Sequence, residues 1–357
     1  MIKRVKRLRQ LMQEKGIGYL LITKPENRLY LSGFTGSTGV LVIGPETADL
    51  LTDFRYIEQA RQQCPDFNIV RVEQQSVFGV TSDVIRNYKG EKLFFEADHL
   101  TVKEFNELKE KLGEISLAPC QGLVEQLRMI KDDQEIELIR QAMAIGDQAF
   151  EHILKYIKPG VSEWELTLEL EYFMRKQGAS GPAFDTIMAS GPRSALPHGV
   201  TSERILQPGD LLTMDYGCVF QGYHSDMTRT MVLGQPDQKQ LEIYNIVLEA
   251  QLAGIAAVKE GVKASEVDQA ARQIITDRGY GEYFGHGTGH GVGLNIHEEP
   301  RLASKSDTVL KAGMVVTIEP GIYLPGWGGV RIEDSVLVTQ NGCEILTSSP
   351  KHQLLKL

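Results

Sequence analysis

Hydrophobic and polar positions divide this chain into two regions with different patterns. Up to about residue 120 a basic amphipathic segment is followed by short apolar runs, which read GYLLIT, YLSGF, GVLVIG, LTDFRY and LFFEA. Short apolar runs bounded by polar residues indicate strands, and their alternation with helical stretches is typical of a mixed or parallel sheet. The first region therefore predicts a small α/β domain.

A long helical run marks the predicted domain boundary. The pattern changes near Gln121, where VEQLRMIKDDQEIELIRQAMAIGDQAFEHILKYI carries apolar residues at helical spacing among many charges. A helix of this length at a change of pattern indicates a new domain. We expect the division between residues 124 and 125.

The second region contains a weak internal repeat. LQPGDLLTMDYG from Leu206 aligns with LKAGMVVTIEPG from Leu310, and IKPGVSEWEL from Ile157 aligns with VKEGVKASEV from Val258. Chance similarity is the alternative at this level of identity. A duplication predicts two halves that each run helix, turn, helix, loop and paired strands. A pseudo-twofold axis would then bring equivalent strands together at a central cleft.

Composition and charge exclude several classes of protein. A chain of 357 residues with 42% hydrophobic and 24% charged residues is typical of a soluble protein of two domains. The net charge of −9 argues against nucleic acid or an anionic membrane surface as the main partner. We expect a cytoplasmic protein, because we find neither a signal peptide nor an apolar run near the ~20 residues of a membrane span. The four cysteines show no CxxC spacing, which predicts reduced thiols.

Four acidic residues occupy places that the repeat makes equivalent or adjacent. Asp215 aligns with Glu319, and the strands that follow contribute Asp226 and Glu333. Four carboxylates in one cleft repel one another strongly unless they are protonated or neutralised. Two divalent cations about 3.5–4 Å apart would neutralise them and share one activated water, as in two-metal hydrolytic sites.

Histidines are concentrated in one glycine-rich stretch, GHGTGHGVGLNIHEEP, which carries His286, His290 and His297. Flanking glycines let the backbone bring the His290 ring close to a metal, although a lone loop histidine is more often a polar surface residue. His198 lies in a loop stiffened by prolines, where its ring either bonds to the backbone or orients a substrate carbonyl. One nitrogen among oxygen donors favours Mn²⁺, Co²⁺ or Fe²⁺, with Zn²⁺ as a further option.

The ordered motifs MDYG, SDMTRT, GHGTGHGVGLNIHE, TIEPG and VRIED resemble those of the metal-dependent M24 peptidase family. NRLYLSGFTGS and TDFRY resemble the creatinase-type N-terminal domain, so the resemblance covers nearly the whole chain. It implies an α/β creatinase-like domain over residues 1–124. An α+β pita-bread catalytic domain with a pseudo-twofold internal duplication would follow over residues 125–357.

The chain is similar within that family to Xaa-Pro aminopeptidases and Xaa-Pro dipeptidases. This similarity implies a homodimer that hydrolyses the N-terminal Xaa-Pro bond of dipeptides or longer peptides. It also implies two divalent ions per subunit, with Mn²⁺ as the first candidate. The implied metal ligands are Asp215, Asp226, His290, Glu319 and Glu333.

The same resemblance implies how the site would act. Asp226 and Glu333 would bridge the two ions, and the bridging hydroxide would attack the carbonyl that precedes proline. Glu319 would accept and shuttle the proton. The resemblance also implies a catalytic role for His198 and His297, which would bind the substrate carbonyl and stabilise the tetrahedral intermediate. His286 and Arg331 would contribute to substrate binding, His286 by lining the pocket and Arg331 by orienting ligands or substrate.

Two alternatives stay open on the sequence. A related pita-bread hydrolase such as creatinase acts on another small substrate without metal, and the intact ligand set argues against it. A non-catalytic peptide-binding module would keep the fold without turnover. Loss of activity on chelation would separate the metallopeptidase from both.

Overall fold

The computed structural model describes residues 2–357 and divides into two compact units, one ending at Arg128 and the other beginning at Met129. The predicted boundary between residues 124 and 125 stays a prediction. All four cysteines are free thiols, as expected. None of the helices in residues 2–357 has the length and apolar character needed to cross a membrane.

The first unit is an α/β domain, as predicted. Its helices are α1 Ile2–Glu14, α2 Pro25–Ser32, α3 Ile57–Gln63, α4 Val77–Asn87, α5 Val102–Leu112 and α6 Leu123–Arg128. Its strands are β1 Tyr19–Ile22, β2 Val40–Ile43, β3 Ala48–Asp53, β4 Asn68–Val72, β5 Lys92–Glu96 and β6 Ser116–Cys120. They form one mixed sheet in the order β4-β3-β2-β1-β5-β6, in which β1 pairs antiparallel with β2 and parallel with β5.

Two local predictions in this part of the chain are wrong. YLSGF is not a strand, because Pro25 at the first turn begins a helix and Gly33, at φ 77°, ends it after Ser32. The long helical run is also interrupted between α6 and the next helix. Asp132 caps that helix by accepting hydrogen bonds from the backbone N–H groups of Gln134 and Glu135.

The second unit has four helices, α7 Asp133–Ile153, α8 Glu163–Lys176, α9 Gln238–Ala257 and α10 Ala264–Asp277, among the residues that the structure describes. Its first strands are β7 Gly181–Pro182, β8 Ile187–Ser190, β9 Leu211–Tyr216, β10 Cys218–Phe220, β11 Tyr223–His224 and β12 Met227–Val232. Its later strands are β13 Gly289–Gly291, β14 Glu298–Leu302, β15 Val315–Ile318, β16 Gly321–Leu324, β17 Gly328–Arg331, β18 Asp334–Val338, β19 Cys343–Ile345 and β20 Leu355–Lys356. Short 3₁₀ turns lie at Phe54–Tyr56, Gly191–Ala195 and Gly281–Tyr283.

The internal repeat reappears in the pairing of the second unit. A four-stranded sheet runs β20-β12-β9-β8, and a five-stranded sheet runs β14-β13-β15-β18-β19. The repeated strands β9 and β15 each form an antiparallel pair, with β12 and β18 respectively. Isolated bridges join Ser162 to Ile205 in the first half and Lys263 to Val309 in the second. The two halves are therefore built on one plan, as the aligned segments predict.

Helices cover one face of each sheet and leave the acidic residues on the other. The residues of β9 in the core beside α7 and α8 are Leu212, Met214 and Tyr216. In β15, Val316 and Ile318 share a core with residues of α10. Because successive side chains of a strand point to opposite faces, Asp215 and Glu319 lie on the faces turned away from these helices.

Candidate active site

The acidic residues of the two halves meet where β12 approaches β18. Glu333 donates its backbone N–H to the carbonyl oxygen of Thr228 at 3.1 Å, and the Thr228 hydroxyl donates to Glu333 Oε2 at 2.7 Å. Ser335 donates its hydroxyl to the Asp226 carbonyl oxygen at 3.1 Å. These contacts place the strands that carry Asp226 and Glu333 side by side.

A potential metal-binding cluster forms at this junction. Asp226, His290 and Glu333 each offer one ligand atom, and these atoms lie within 4.8 Å of one another. His290 Nε2 lies 3.5 Å from Asp226 Oδ2 and 3.4 Å from Glu319 Oε1. Four of the five predicted ligands therefore have ligand atoms close to one another. The fifth, Asp215, lines the same cavity.

The His290 ring is oriented as a metal ligand should be. Its Nδ1 lies 3.1 Å from the Gly291 carbonyl oxygen, which can only accept, so Nδ1 carries the proton. Nε2 is then the lone-pair nitrogen, and it faces Asp226 and Glu319. Burial lowers the pKa of His290 to about 3, which keeps the ring neutral for coordination.

Glycines beside His290 allow this approach. A Cβ on Gly289 would lie 1.9 Å from the Thr317 carbonyl oxygen, and one on Gly291 would lie 2.3 Å from that of Glu299. Any larger residue would push β13 away from its neighbours. The glycines are needed because the backbone packs closely here, which explains their density around the histidine.

The buried carboxylates of the cluster lack enough neighbouring positive charge to stabilise their ionised forms. Burial and neighbouring carboxylates raise the pKa of Asp226 and of Glu333 well above the usual range. Burial also raises the pKa of Glu319 to about 7. Asp215 Oδ1 is buried and has no hydrogen-bond partner within residues 2–357. An orphaned carboxylate oxygen beside three more acidic groups and a neutral imidazole is the donor set that divalent cations bind, so the residues fit metal ions.

If the cluster binds a divalent cation such as Mn²⁺, the stabilisation that the added ion confers should grow with pH. In the metal-free protein the raised carboxyl pKa values favour the protonated forms, so their contribution to stability is lost as pH rises through about 7. Bound ions displace these protons and reverse that loss. Thermal unfolding with and without Mn²⁺ should show a widening Tm difference from about pH 5 to about pH 8. An unchanged or shrinking difference would contradict this account of the site.

Arg331 is the buried cation of the site and is held on all sides by the protein. Its guanidinium is 3% exposed and donates to Asp215 Oδ2 at 2.6 Å and to Tyr323 Oη at 2.9 Å. It also donates to the Thr228 hydroxyl and the Pro197 carbonyl oxygen. These contacts connect Arg331 to the predicted ligand Asp215, and its role in orienting ligands or substrate stays a prediction.

The three remaining histidines line one cavity of about 480 Å³ together with the acidic cluster. His297 packs edge-on against His290 with ring centroids 4.4 Å apart. His198 is exposed to the cavity, and its ring makes no hydrogen bond to any residue in the described range. The alternative of a ring bonded to the backbone is therefore wrong for His198. The ring remains available to a ligand.

His286 is more constrained than the other two. Its Nδ1 lies 2.8 Å from the Gly287 carbonyl oxygen, so its Nε2 accepts the Tyr323 hydroxyl proton at 2.9 Å. Burial lowers the pKa of the ring to about 4. Both nitrogens have protein partners, so the ring reaches a ligand only as part of the cavity wall, which is the role predicted for it.

Sequence reasoning missed Arg301. It lies on β14, is exposed, and lines the cavity. Its guanidinium has no hydrogen bond or ion pair with another residue of the described chain, whereas Arg331 is fully engaged. The sequence shows that Arg301 follows His297 by four residues, but no rule of residue spacing predicts that an arginine on a strand will line a cavity.

Comparison with known proteins identifies the family. The Creatinase/Prolidase N-terminal domain matches residues 4–130, and Metallopeptidase family M24 matches residues 137–340. The chain belongs to metallopeptidase family M24. The resemblance to this family is thereby confirmed, and with it the predicted fold class of a creatinase-like domain followed by a pita-bread domain. Family membership implies divalent metal ions, in agreement with the cluster around His290.

Relatives of this M24 protein match it over nearly its full length. An Xaa-Pro dipeptidase of Pyrococcus furiosus is 42% identical over 356 residues, covering 99% of this chain and 100% of the relative. The solved Xaa-Pro dipeptidase from Bacillus anthracis matches with a TM-score of 0.97 at 50% identity, covering 100% and 99% of the two chains. An X-Pro aminopeptidase from Thermotoga maritima matches with a TM-score of 0.90 at 39% identity, covering 98% and 100%. The M24 protein is a metallopeptidase.

Proposed function

We propose that this M24 protein is a dinuclear exopeptidase that hydrolyses Xaa-Pro bonds, with dipeptides as its preferred substrates. The observation that carries the proposal is the buried acidic cluster around His290, which opens into a cavity with two available histidines and an unpaired arginine. The similarity to Xaa-Pro dipeptidases supports the substrate class. A homodimer and a cytoplasmic location belong to the same proposal.

The proposed metal ligands are the five residues predicted from the motifs: Asp215, Asp226, His290, Glu319 and Glu333. Two bound ions, with Mn²⁺ as the first candidate, would supply Lewis acidity and a hydroxide nucleophile shared between them. Asp226 and Glu333 suit the bridging positions because they lie side by side at the junction of the two halves.

The protein's own groups would orient the substrate and move the proton. One oxygen of Glu319, Oε1, lies near His290 and accepts a hydrogen bond from the Thr317 hydroxyl at 3.1 Å. Its second oxygen would then be the one that takes part in proton transfer. His198 and His297 reach the cavity from two different loops. In this proposal they would donate hydrogen bonds to the carbonyl that precedes proline and to its tetrahedral intermediate.

Proline specificity requires recognition without an amide hydrogen. The Xaa-Pro amide has no N–H, so alignment must come from the ring and from the preceding carbonyl. Apolar cavity walls suit a pyrrolidine ring, and those of this cavity include Phe184, Ile187, Pro197 and Ile296.

Arg301 explains the preference for dipeptides in this proposal. A dipeptide places its terminal carboxylate one residue beyond the scissile bond, whereas a longer peptide has a neutral amide there. The Arg301 guanidinium, which lines the cavity and has no partner among the described residues, matches that carboxylate in charge and hydrogen-bonding geometry.

Replacing Arg301 by alanine should discriminate between charged and neutral substrate ends. We expect kcat/KM for Ala-Pro to fall about 10- to 100-fold, since a charged hydrogen bond contributes roughly 1.5–3 kcal/mol. The terminal amide Ala-Pro-NH₂ should be cleaved at an unchanged rate. Lys305→Ala, an exposed cation outside the cavity lining, is the matched control. Equal losses on both substrates would remove Arg301 from carboxylate recognition.

Substrate comparison tests the proposed function as a whole. With Mn²⁺ present, the protein should cleave Ala-Pro, cleave Ala-Pro-Ala more slowly, and leave Ala-Ala nearly untouched. Faster cleavage of the tripeptide would indicate an aminopeptidase. Cleavage of Ala-Ala at the rate of Ala-Pro would refute proline specificity and leave the metal centre standing.

A further inference from the structure

We propose that Glu163, at the start of α8, is a positioning residue that holds the loop carrying His198. The effect on catalysis rests on the function proposed above, whereas the effect on the loop does not. Glu163 is 0% exposed and lies outside the cavity lining, so it acts through the loop and touches no substrate. The loop comprises residues 191–201.

Each carboxylate oxygen of Glu163 holds one end of this loop. Oε1 accepts the backbone N–H and the hydroxyl of Ser190 at 2.8 and 2.7 Å. Oε2 accepts the backbone N–H and the hydroxyl of Ser202 at 3.0 and 2.6 Å. One buried side chain therefore closes the base of the loop with four hydrogen bonds.

A cation inside the loop completes the clamp. Arg193 Nε lies 3.2 Å from Glu163 Oε2, and its Nη2 donates to the Val200 carbonyl oxygen at 2.5 Å. This arginine links the carboxylate to the backbone two residues after His198. The Pro197 carbonyl oxygen, directly before His198, accepts from Arg331. The backbone on both sides of His198 is thus fixed.

His198 depends on this arrangement more than His286 and His290 do. His290 and His286 are oriented by hydrogen bonds from their own rings, whereas the His198 ring has none to any described residue. Its place in the cavity follows from the backbone alone. Because a misplacement of ~1 Å can reduce catalysis ~10²-fold, loosening the loop should reduce turnover through His198.

Replacing Glu163 by glutamine keeps the shape of the side chain but removes its negative charge and one of its two acceptor oxygens. Four donors and a guanidinium surround the carboxylate, and both of its oxygens act as acceptors. The glutamine amide would turn an N–H₂ group toward one pair of donors, so one end of the loop would be released. Glu169→Gln is the matched control, since Glu169 lies on the same helix and bonds to His152 at 2.6 Å, away from the loop.

Hydrogen–deuterium exchange tests the loop directly. In Glu163→Gln, peptides spanning residues 190–202 should exchange at least ~10-fold faster, while peptides spanning 286–298 and the metal content stay unchanged. Unaltered exchange in residues 190–202 would overturn the proposal. If the wild-type protein cleaves no Xaa-Pro substrate, the proposed function fails, but this experiment still decides whether Glu163 holds the loop.

Double-mutant kinetics tests the route through His198. Glu163→Gln should lower kcat about tenfold or more in the wild-type background and have little further effect in His198→Ala. Equal losses in both backgrounds would show a general structural defect and overturn the positioning role. Should Glu163→Gln fail to fold, Ser202→Ala removes the 2.6 Å hydrogen bond to Glu163, together with the bond that the Ser202 hydroxyl accepts from the Arg204 backbone N–H, and leaves the other contacts of Glu163 in place. It should give a smaller loss that also disappears in His198→Ala.

Discussion

Asp226→Asn is expected to lose bound metal and to reduce Xaa-Pro hydrolysis by about three orders of magnitude or more, because metal assistance contributes several kcal/mol. Asp226 is 4% exposed, and its Oδ2 lies 3.5 Å from His290 Nε2. Asparagine removes one of the negative charges that the cations require and places an amide among the ligands. Folding should survive, since burial raises the pKa of the metal-free carboxyl and thus disfavours the charge that asparagine removes.

Mass-spectrometric metal content and turnover at saturating Mn²⁺ check this prediction together. Asp185→Asn is the control, because Asp185 also lines the cavity but is exposed. It should retain full metal content. Two metal ions per subunit and near-normal turnover in Asp226→Asn would show that the cluster is not the metal centre.

Glu319→Gln is expected to lower kcat by ~10²–10⁴-fold, the usual contribution of a positioned proton acceptor, with a smaller loss of metal. Glu319 Oε1 lies near His290 and also accepts a hydrogen bond from the Thr317 hydroxyl. No other carboxylate of the four predicted ligands has one oxygen with both contacts. Glutamine keeps its length and its acceptor oxygen but cannot take a proton. Both roles proposed for Glu319 therefore predict a loss, and they differ in how much metal remains.

Single-turnover hydrolysis at matched metal occupancy separates these roles. A slow chemical step with metal retained assigns Glu319 to proton transfer, whereas loss of one ion with the remaining activity restored by excess Mn²⁺ assigns it to coordination. Glu282→Gln, an exposed carboxylate of the same half, should behave as wild type. Near-normal turnover of Glu319→Gln would eliminate both roles.

Sequence patterns predict much of this site because the duplication links chemistry to strand geometry. Aligning Asp215 with Glu319 predicts corresponding places, which the structure gives as Asp215 on β9 and Glu319 directly after β15, and alternation then turns both side chains away from the helices. The glycines around His290 likewise point to a closely packed backbone, which the contacts of Gly289 and Gly291 explain.

Other features depend on contacts that no local pattern contains. Glu163 is separated from Ser202 by 39 residues, and Arg331 from Asp215 by 116. Arg301 is notable only because its guanidinium has no partner within residues 2–357, a property that appears only when all its neighbours there are known. The prediction of a strand at YLSGF is wrong for a different reason. Its apolar residues suit either structure, and the cap at Gly33 decides in favour of a helix.

Hydrolysis of Ala-Pro by metal-stripped protein, before and after addition of Mn²⁺, tests the central claim most directly. The account predicts no cleavage by the stripped protein and restored cleavage with Mn²⁺, and a failure to restore cleavage in Asp226→Asn. Undiminished cleavage in excess chelator would contradict it, because the acidic cluster around His290 would then have no part in the reaction.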